Sequence, residues 1–336
     1  MYKELIKKRE DAADHLTDYH VLRFFAVLIA VSKAKVIDMM GEPLQYCPLV
    51  KMLYKNMRSV VDVKEEIKEI IEKKIDDFGF FTPQRKFDIK EIAIPFGASE
   101  MLMYALRKKV IDAAVVVCDG AGSVIVTSPE MVQGIGARMN GLFFTTPITE
   151  IIQRIEDAGC RVPFSDASID QIRAVKKACE AGYKNIAVTI NGCVDEEKLY
   201  RIKALEQQFD VHIIVLVVCT TGASYDRIQE IADYADIVWS CASEEVREVV
   251  GGRAILQISK KIPVFVLTSN GLKLVSAYSK DEGAVNVLDG DKQYILSTIV
   301  KGKEVVMGDK FLYYLSETRL PVRSKGEPRF AEKEIG

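Results

Sequence analysis

Thiols, hydroxyls, glycines and one acid recur where apolar runs of this chain end, and those turns are where its chemistry must be sought. The densest set lies in Asp112–Pro147. There an apolar strand ends in Cys118-Asp119-Gly120-Ala121-Gly122, and a second segment, Gln133-Gly134-Ile135-Gly136, precedes Arg138. Glycine lets a backbone approach a ligand closely. Asp119 has the chemistry of an acid, a base or a metal ligand, although an Asp in a strand-end turn equally bonds its own backbone. Arg138 supplies a charge to pair with an anion.

Other strand ends carry further candidates. Cys219-Thr220-Thr221-Gly222-Ala223-Ser224 follows the run Val211–Val218 and has no acid before Asp226. Backbone N–H groups and hydroxyls at such a helix start suit a phosphate or carboxylate, while Thr221 or Ser224 equally serves as a helix cap. The turns after Ile190 and Trp239 place Asp195, Glu196, Glu244 and Glu245 at the corresponding positions. Those acids already complement the helix dipole and repel an anion. Neither Gly120-x-Gly122 nor Gly134-x-Gly136 has the third glycine of the dinucleotide fingerprint, and no phosphate-loop lysine motif occurs. No nucleotide is specified.

Seven cysteines are scattered without a C-x-x-C pair, which disfavours a ribbon-type zinc site. Cys47, Cys118, Cys219 and Cys241 lie at strand ends or turns, and Cys47, Cys118 and Cys241 are the candidate metal ligands. No Ser-His-Asp or Cys-His set can be argued. His212 begins an apolar strand, and His15 and His20 are expected at the surface of a charged lead-in.

An α/β fold is needed to position these turns. Val21–Val31 and Lys35–Met39 read as two strands of a hairpin around Ser32-Lys33-Ala34. Asp62-x-x-Glu65 resembles a capping box before the helix Val63–Ile75, whose Lys and Glu face is expected in solvent. From Thr149 onward, helices of about ten residues alternate with the strands Ile186–Ile190, Val211–Val218, Ile237–Trp239 and Ala254–Ile258. Such alternation predicts a mainly parallel, Rossmann-like sheet. Val264–Leu267 follows too closely for a helical crossover and is antiparallel or a bent continuation. Gln293–Val300 and Lys303–Val306 read as a late hairpin. The expected division is an N-terminal α/β region over 1–148 that starts in a β-hairpin and carries the glycine-rich stretch. A Rossmann-like βαβ region over 149–275 and a C-terminal hairpin with a charged tail over 276–336 follow.

Composition bounds the partners. The 336 residues are 49% hydrophobic and 28% charged with a net charge of −2, so no concentrated positive face points to nucleic acid. The longest apolar run near the start, Phe24–Val31, falls short of the ~20 residues of a membrane helix. A cytoplasmic protein with no membrane partner is expected.

Taken in order, Gly41-Glu42-Pro43-Leu44, Tyr46-Cys47-Pro48-Leu49, Phe96-Gly97-Ala98-Ser99-Glu100, Cys118–Gly122, Val132–Gly136 and Thr145–Ile148 resemble the methanogenesis marker protein 8 family. So do Ile169-Asp170-Gln171, Ile186–Thr189, Thr220-Thr221-Gly222 and Cys241-Ala242-Ser243. The resemblance spans about residues 22 to 275, and each piece is specific only as part of the set. Relatives often carry His where this chain has Cys219, which marks it as a somewhat divergent member. The resemblance implies an accessory or maturation factor in anaerobic one-carbon metabolism, acting with methyl-coenzyme M reductase-related proteins or its nickel tetrapyrrole. A metal or tetrapyrrole is the cofactor class it implies. The residues themselves leave an alternative open, an enzyme acting on a small anionic metabolite at Gly120, Gly122, Gln133, Gly134, Gly136, Arg138, Thr220, Thr221, Gly222 and Ser224.

Overall fold

A computed structural model describes residues 2–11, 17–44, 63–89, 92, 94–281, 283–286, 288, 291–325 and 327. Cys47 and His15 lie outside the described residues. Along the chain, β1 (His20–Phe24), β2 (Val27–Ser32) and β3 (Lys35–Met40) form a meander. The hairpin of β4 (Ala113–Cys118) and β5 (Gly122–Val126) follows, and β6 (Gly141–Thr145) then returns to pair with β1. Next come β7 (Asn185–Asn191), β8 (His212–Val218) and β9 (Ile237–Trp239), separated by helices. The chain closes with β10 (Leu256–Ile258), β11 (Val264–Val266), β12 (Tyr294–Ser297), β13 (Lys303–Met307) and β14 (Phe311–Glu317).

Two sheets result. The smaller has the order β3-β2-β1-β6, and the larger runs β13-β14-β12-β10-β11-β9-β8-β7-β4-β5. Within the larger, β4, β7, β8 and β9 are parallel neighbours, and β11 enters antiparallel between β9 and β10. The architecture is a mixed α/β fold whose large sheet draws strands from all three of the sequence regions set out above.

The period-two alternation of each strand explains the layers. Ala114, Val116, Ile214 and Leu216 face one core, with Leu102, Val132 and Leu274 packed there. Val115, Val188, Ile213, Val215 and Val217 face the other, with Val175, Ile202 and Ile228. Covering both faces of a parallel sheet with helices is what lets β8, HIIVLVV, be a continuous apolar run. Fully burying each such side chain contributes about 1.5–3 kcal/mol.

Three sequence expectations are corrected. The run Val21–Val31 is two strands, because Phe25 and Ala26 both hold left-handed backbone in a two-residue turn. Such turns favour Asn and Gly, so Phe-Ala gave no signal. The late hairpin joins Lys303–Met307 to Phe311–Glu317, and β12 pairs with β14 instead of β13. His20 is fully buried, with Nδ1 2.6 Å from Thr145 Oγ1 and Nε2 2.8 Å from Asp18 Oδ1. It joins β1 to β6 instead of meeting solvent.

Candidate functional site

The carboxyl ends of β4, β7, β8 and β9 all open onto one side of the large sheet, where ligands of open α/β sheets bind. The small sheet is folded over that edge. Between them lies a cavity of about 570 Å³ lined by Val116, Val117, Asn191, Val218, Cys219, Trp239 and Cys241 from the large sheet. Phe24, Phe25, Ala26 and Leu142 from the small sheet and Gly97–Glu100 from a helix start complete the wall. Its volume falls within the roughly 300–1,000 Å³ of small-molecule sites.

The backbone around this cavity is strained. Phe25, Ala26, Phe96, Arg138, Cys219, Cys241 and Ser259 all line it, and all hold positive φ without being glycine. Each such residue costs on the order of 1–3 kcal/mol and persists only where its surroundings hold it. Cys219 (φ 57°) and Cys241 (φ 46°) take this conformation just beyond β8 and β9, so the strand ends turn abruptly at the cavity wall.

The charged lining is unbalanced. Arg23, Lys74, Arg138 and Lys261 face Glu100, the one acid among the described lining residues. Arg23, on β1, donates through Nη1 to Cys193 Sγ at 3.1 Å and to the Thr221 carbonyl, which pins the small sheet to the turns after β7 and β8. Arg138 lies over the Phe78 ring, 4.9 Å from its centroid. Glu100 is buried at the start of the helix Ala98–Arg107, where Gln133 Nε2 and Ser99 Oγ donate to it. Burial pushes its carboxyl up, against those hydrogen bonds.

Lys74 lies on the helix Val63–Phe78 in the stripe Ile67, Ile70, Ile71, Lys74, Ile75, all buried. Its ammonium donates to Asn140 Oδ1 and sits over the Phe24 and Phe80 rings, 5.7 and 5.4 Å from their centroids. Desolvation, then Arg85 and Arg138, push it down to about 7, and Asp119 opposes them. The expected solvation of the Lys and Glu face fails at this position, because a lysine three and four residues from isoleucines belongs to the buried stripe.

Three turn cysteines gather beside the cavity. Cys193 Sγ donates to the carbonyls of Cys219 and Thr221, both at 2.9 Å. Burial pushes the Cys193 thiol up to about 11. The Cys219 thiol is pushed up by burial and then by Cys241 and Cys193. Cys118 is elsewhere, fully buried on β4, with Sγ 3.3 Å from the Asp119 carbonyl and its thiol pushed well up by burial. Among the described residues, no three or more His, Cys, Asp and Glu are placed to hold a metal ion.

Of the other candidate residues, Gly136, Arg138 and Thr221 line the cavity with Cys241. Thr221 Oγ1 accepts from Ala242 N at 3.0 Å, Thr220 Oγ1 donates to the Trp239 carbonyl at 2.8 Å, and Ser224 Oγ caps the next helix through Arg227 N. Gly222 turns between them with φ 80°. Gly120 packs against Ile148 and Ile151, Gly122 against the Ala167 backbone, and Gly134 against the Phe87 backbone. Gln133 is buried on Glu100, and Asp119 is buried on Arg85. Arg23, Lys74, Glu100 and Cys193 were not among the candidate site residues, whereas Cys219 was singled out only as a strand-end thiol. Lys74 had a sequence signal, its place in the isoleucine stripe; Arg23 and Cys193 meet only through the tertiary fold.

Residues 20–279 match a family model described as an uncharacterized protein conserved in archaea (DUF2099). The chain belongs to this family. A protein of Methanocaldococcus jannaschii, also described as uncharacterized, is 39% identical over 267 residues, covering 79% of this chain and 92% of the relative. The family match takes in the cavity lining from Arg23 through Val264, and Tyr313 lies beyond it. Among the described residues, no helix is long and apolar enough to cross a membrane.

Proposed function

We propose that this protein binds an anionic organic molecule with a largely apolar body in the cavity beyond β4, β7, β8 and β9. The observation that carries the reading is the excess of cations, Arg23, Lys74, Arg138 and Lys261 against Glu100, on walls built mainly from apolar side chains. Cations held in such a setting lose hydration, and an incoming acid group offsets that loss. The resemblance to the methanogenesis marker protein 8 family supports a role as an accessory or maturation factor in anaerobic one-carbon metabolism. Methyl-coenzyme M reductase, or its nickel tetrapyrrole with carboxylates around an apolar ring, is the target that this reading names. A second reading, an enzyme acting on a small anionic metabolite, is favoured by the buried amine of Lys74 at the cavity wall.

The chain has one tryptophan, and Trp239 lines the cavity with Nε1 donating to the Phe96 carbonyl at 2.9 Å. Anilinonaphthalene sulfonate, an apolar aromatic anion, is a direct probe. Saturable binding with energy transfer from Trp239, weakened at least about tenfold in Arg138→Gln, is the expected result; tenfold corresponds to about 1.4 kcal/mol. Binding that neither saturates nor responds to Arg138→Gln would overturn the reading.

A further inference from the structure

We infer that Lys74 is an amine nucleophile that forms an imine with an aldehyde or ketone bearing an acid group, inside the cavity beyond β4, β7, β8 and β9. The inference rests on the anion-binding reading and adds to it a substrate class and a covalent step. A lysine becomes a nucleophile when apolar surroundings or neighbouring cations disfavour its ammonium. Lys74 meets both conditions. It is buried on an isoleucine stripe, lies over two phenylalanine rings and opens onto the cavity. Arg85 and Arg138 are its cationic neighbours. Asp119, the acid nearest in effect, already accepts from Arg85 Nε at 3.1 Å and from Phe81 N at 2.7 Å. Among the described residues its hydrogen-bond acceptor is the amide oxygen of Asn140, which tolerates a neutral amine as well as an ammonium. Arg138, which lines the same cavity, is the cation assigned to the acid group of the carbonyl compound.

The step balances without an oxidant or reductant. The Nζ lone pair adds to the carbonyl carbon and the carbonyl π pair moves to oxygen. Nζ loses both of its protons over the sequence, the oxygen takes up two, and it leaves as water when the C=N bond forms. The neutral amine and the carbonyl thus give imine and water. The lowered basicity of Lys74, about 7, supplies the neutral amine near neutral pH.

Glyoxylate with sodium cyanoborohydride, followed by peptide mass spectrometry, tests the step on the full chain. The expected result is carboxymethylation of Lys74 at pH 7 at least about tenfold faster than at exposed Lys177 and Lys273. The rate at Lys74 should level off just above pH 7. Lys74→Met, close in volume, should lose the fast phase while keeping the far-ultraviolet circular dichroism and the cooperative thermal melt of the parent, which certify that it folds. Labelling of Lys74 no faster than of Lys177, with probe binding intact in the unaltered chain, overturns the imine step alone. Loss of saturable probe binding in the unaltered chain overturns the anion-binding reading and the imine step with it.

Discussion

Arg85 Nε stands 3.1 Å from Asp119 Oδ1, and both side chains are fully buried. The other Asp119 oxygen accepts from Phe81 N at 2.7 Å. Arg85 donates onward to the carbonyls of Lys86, Gly134 and Ile135, and its guanidinium lies 3.8 Å from the centroid of the Phe80 ring. One ion pair therefore ties the segment after the helix Val63–Phe78 to the β4–β5 turn and to the helix Pro129–Gly136. Removing one partner leaves the other charged, buried and unpaired, which costs about 3–5 kcal/mol. Asp119→Ala should lose that much stability in urea titrations, and adding Arg85→Met should cost far less than the two single losses combined. Wild-type stability in Asp119→Ala would sink this assignment.

Gly122 is required by backbone and space together. Its φ is +69°, and a Cβ there would lie 2.1 Å from the Ala167 carbonyl oxygen. Left-handed backbone alone costs a residue with a Cβ roughly 1–2 kcal/mol, and the clash adds to it. Gly122→Ala should lower the melting temperature clearly, whereas Gly159→Ala, where a Cβ meets nothing within 4 Å, should show only the backbone cost. Equal losses would show that the Ala167 contact is unimportant.

Glu197 supplies a pH test of buried charge. Desolvation, opposed by the Gln171 N–H and Arg227, pushes its carboxyl from 4.5 up to about 7. The fold thus binds more protons than the unfolded chain between those values, so stability contributed by the neutral carboxyl is present below about 4.5 and lost as pH rises through 7. Glu197→Gln keeps an oxygen to accept from Gln171 N. It should be more stable than the parent at pH 8, with the advantage vanishing toward pH 4.5. A pH-independent difference in denaturation midpoint would contradict the assignment.

Much of the fold was legible because it is local. The strands β7, β8 and β9 stand where apolar runs follow helical periods, and Ser224 caps the helix that follows β8. The short link Ser259–Pro263 correctly excluded a helical crossover before β11. Phe25-Ala26 was illegible because its left-handed turn uses residues that seldom adopt one, and tertiary contacts hold it there: Leu44 N donates to the Phe25 carbonyl and Arg23 Nε to the Ala26 carbonyl. His20 reads as polar and exposed, yet Thr145, 125 residues away, gives it a buried partner.

By itself the sequence determined the alternating helices and strands of the parallel sheet and the turns at which thiols, hydroxyls and glycines would sit, since periodicity and turn chemistry act over a few residues. Only the tertiary structure decided which turns meet. Strand order brought Cys193, Cys219 and Cys241 together and left Cys118 apart, and the small sheet brought Arg23 to the turns after β7 and β8. The basicity of Lys74 is likewise a tertiary property. It depends on desolvation and on Arg85 and Arg138, charges that lie beyond its own helix and come near only once the chain has folded.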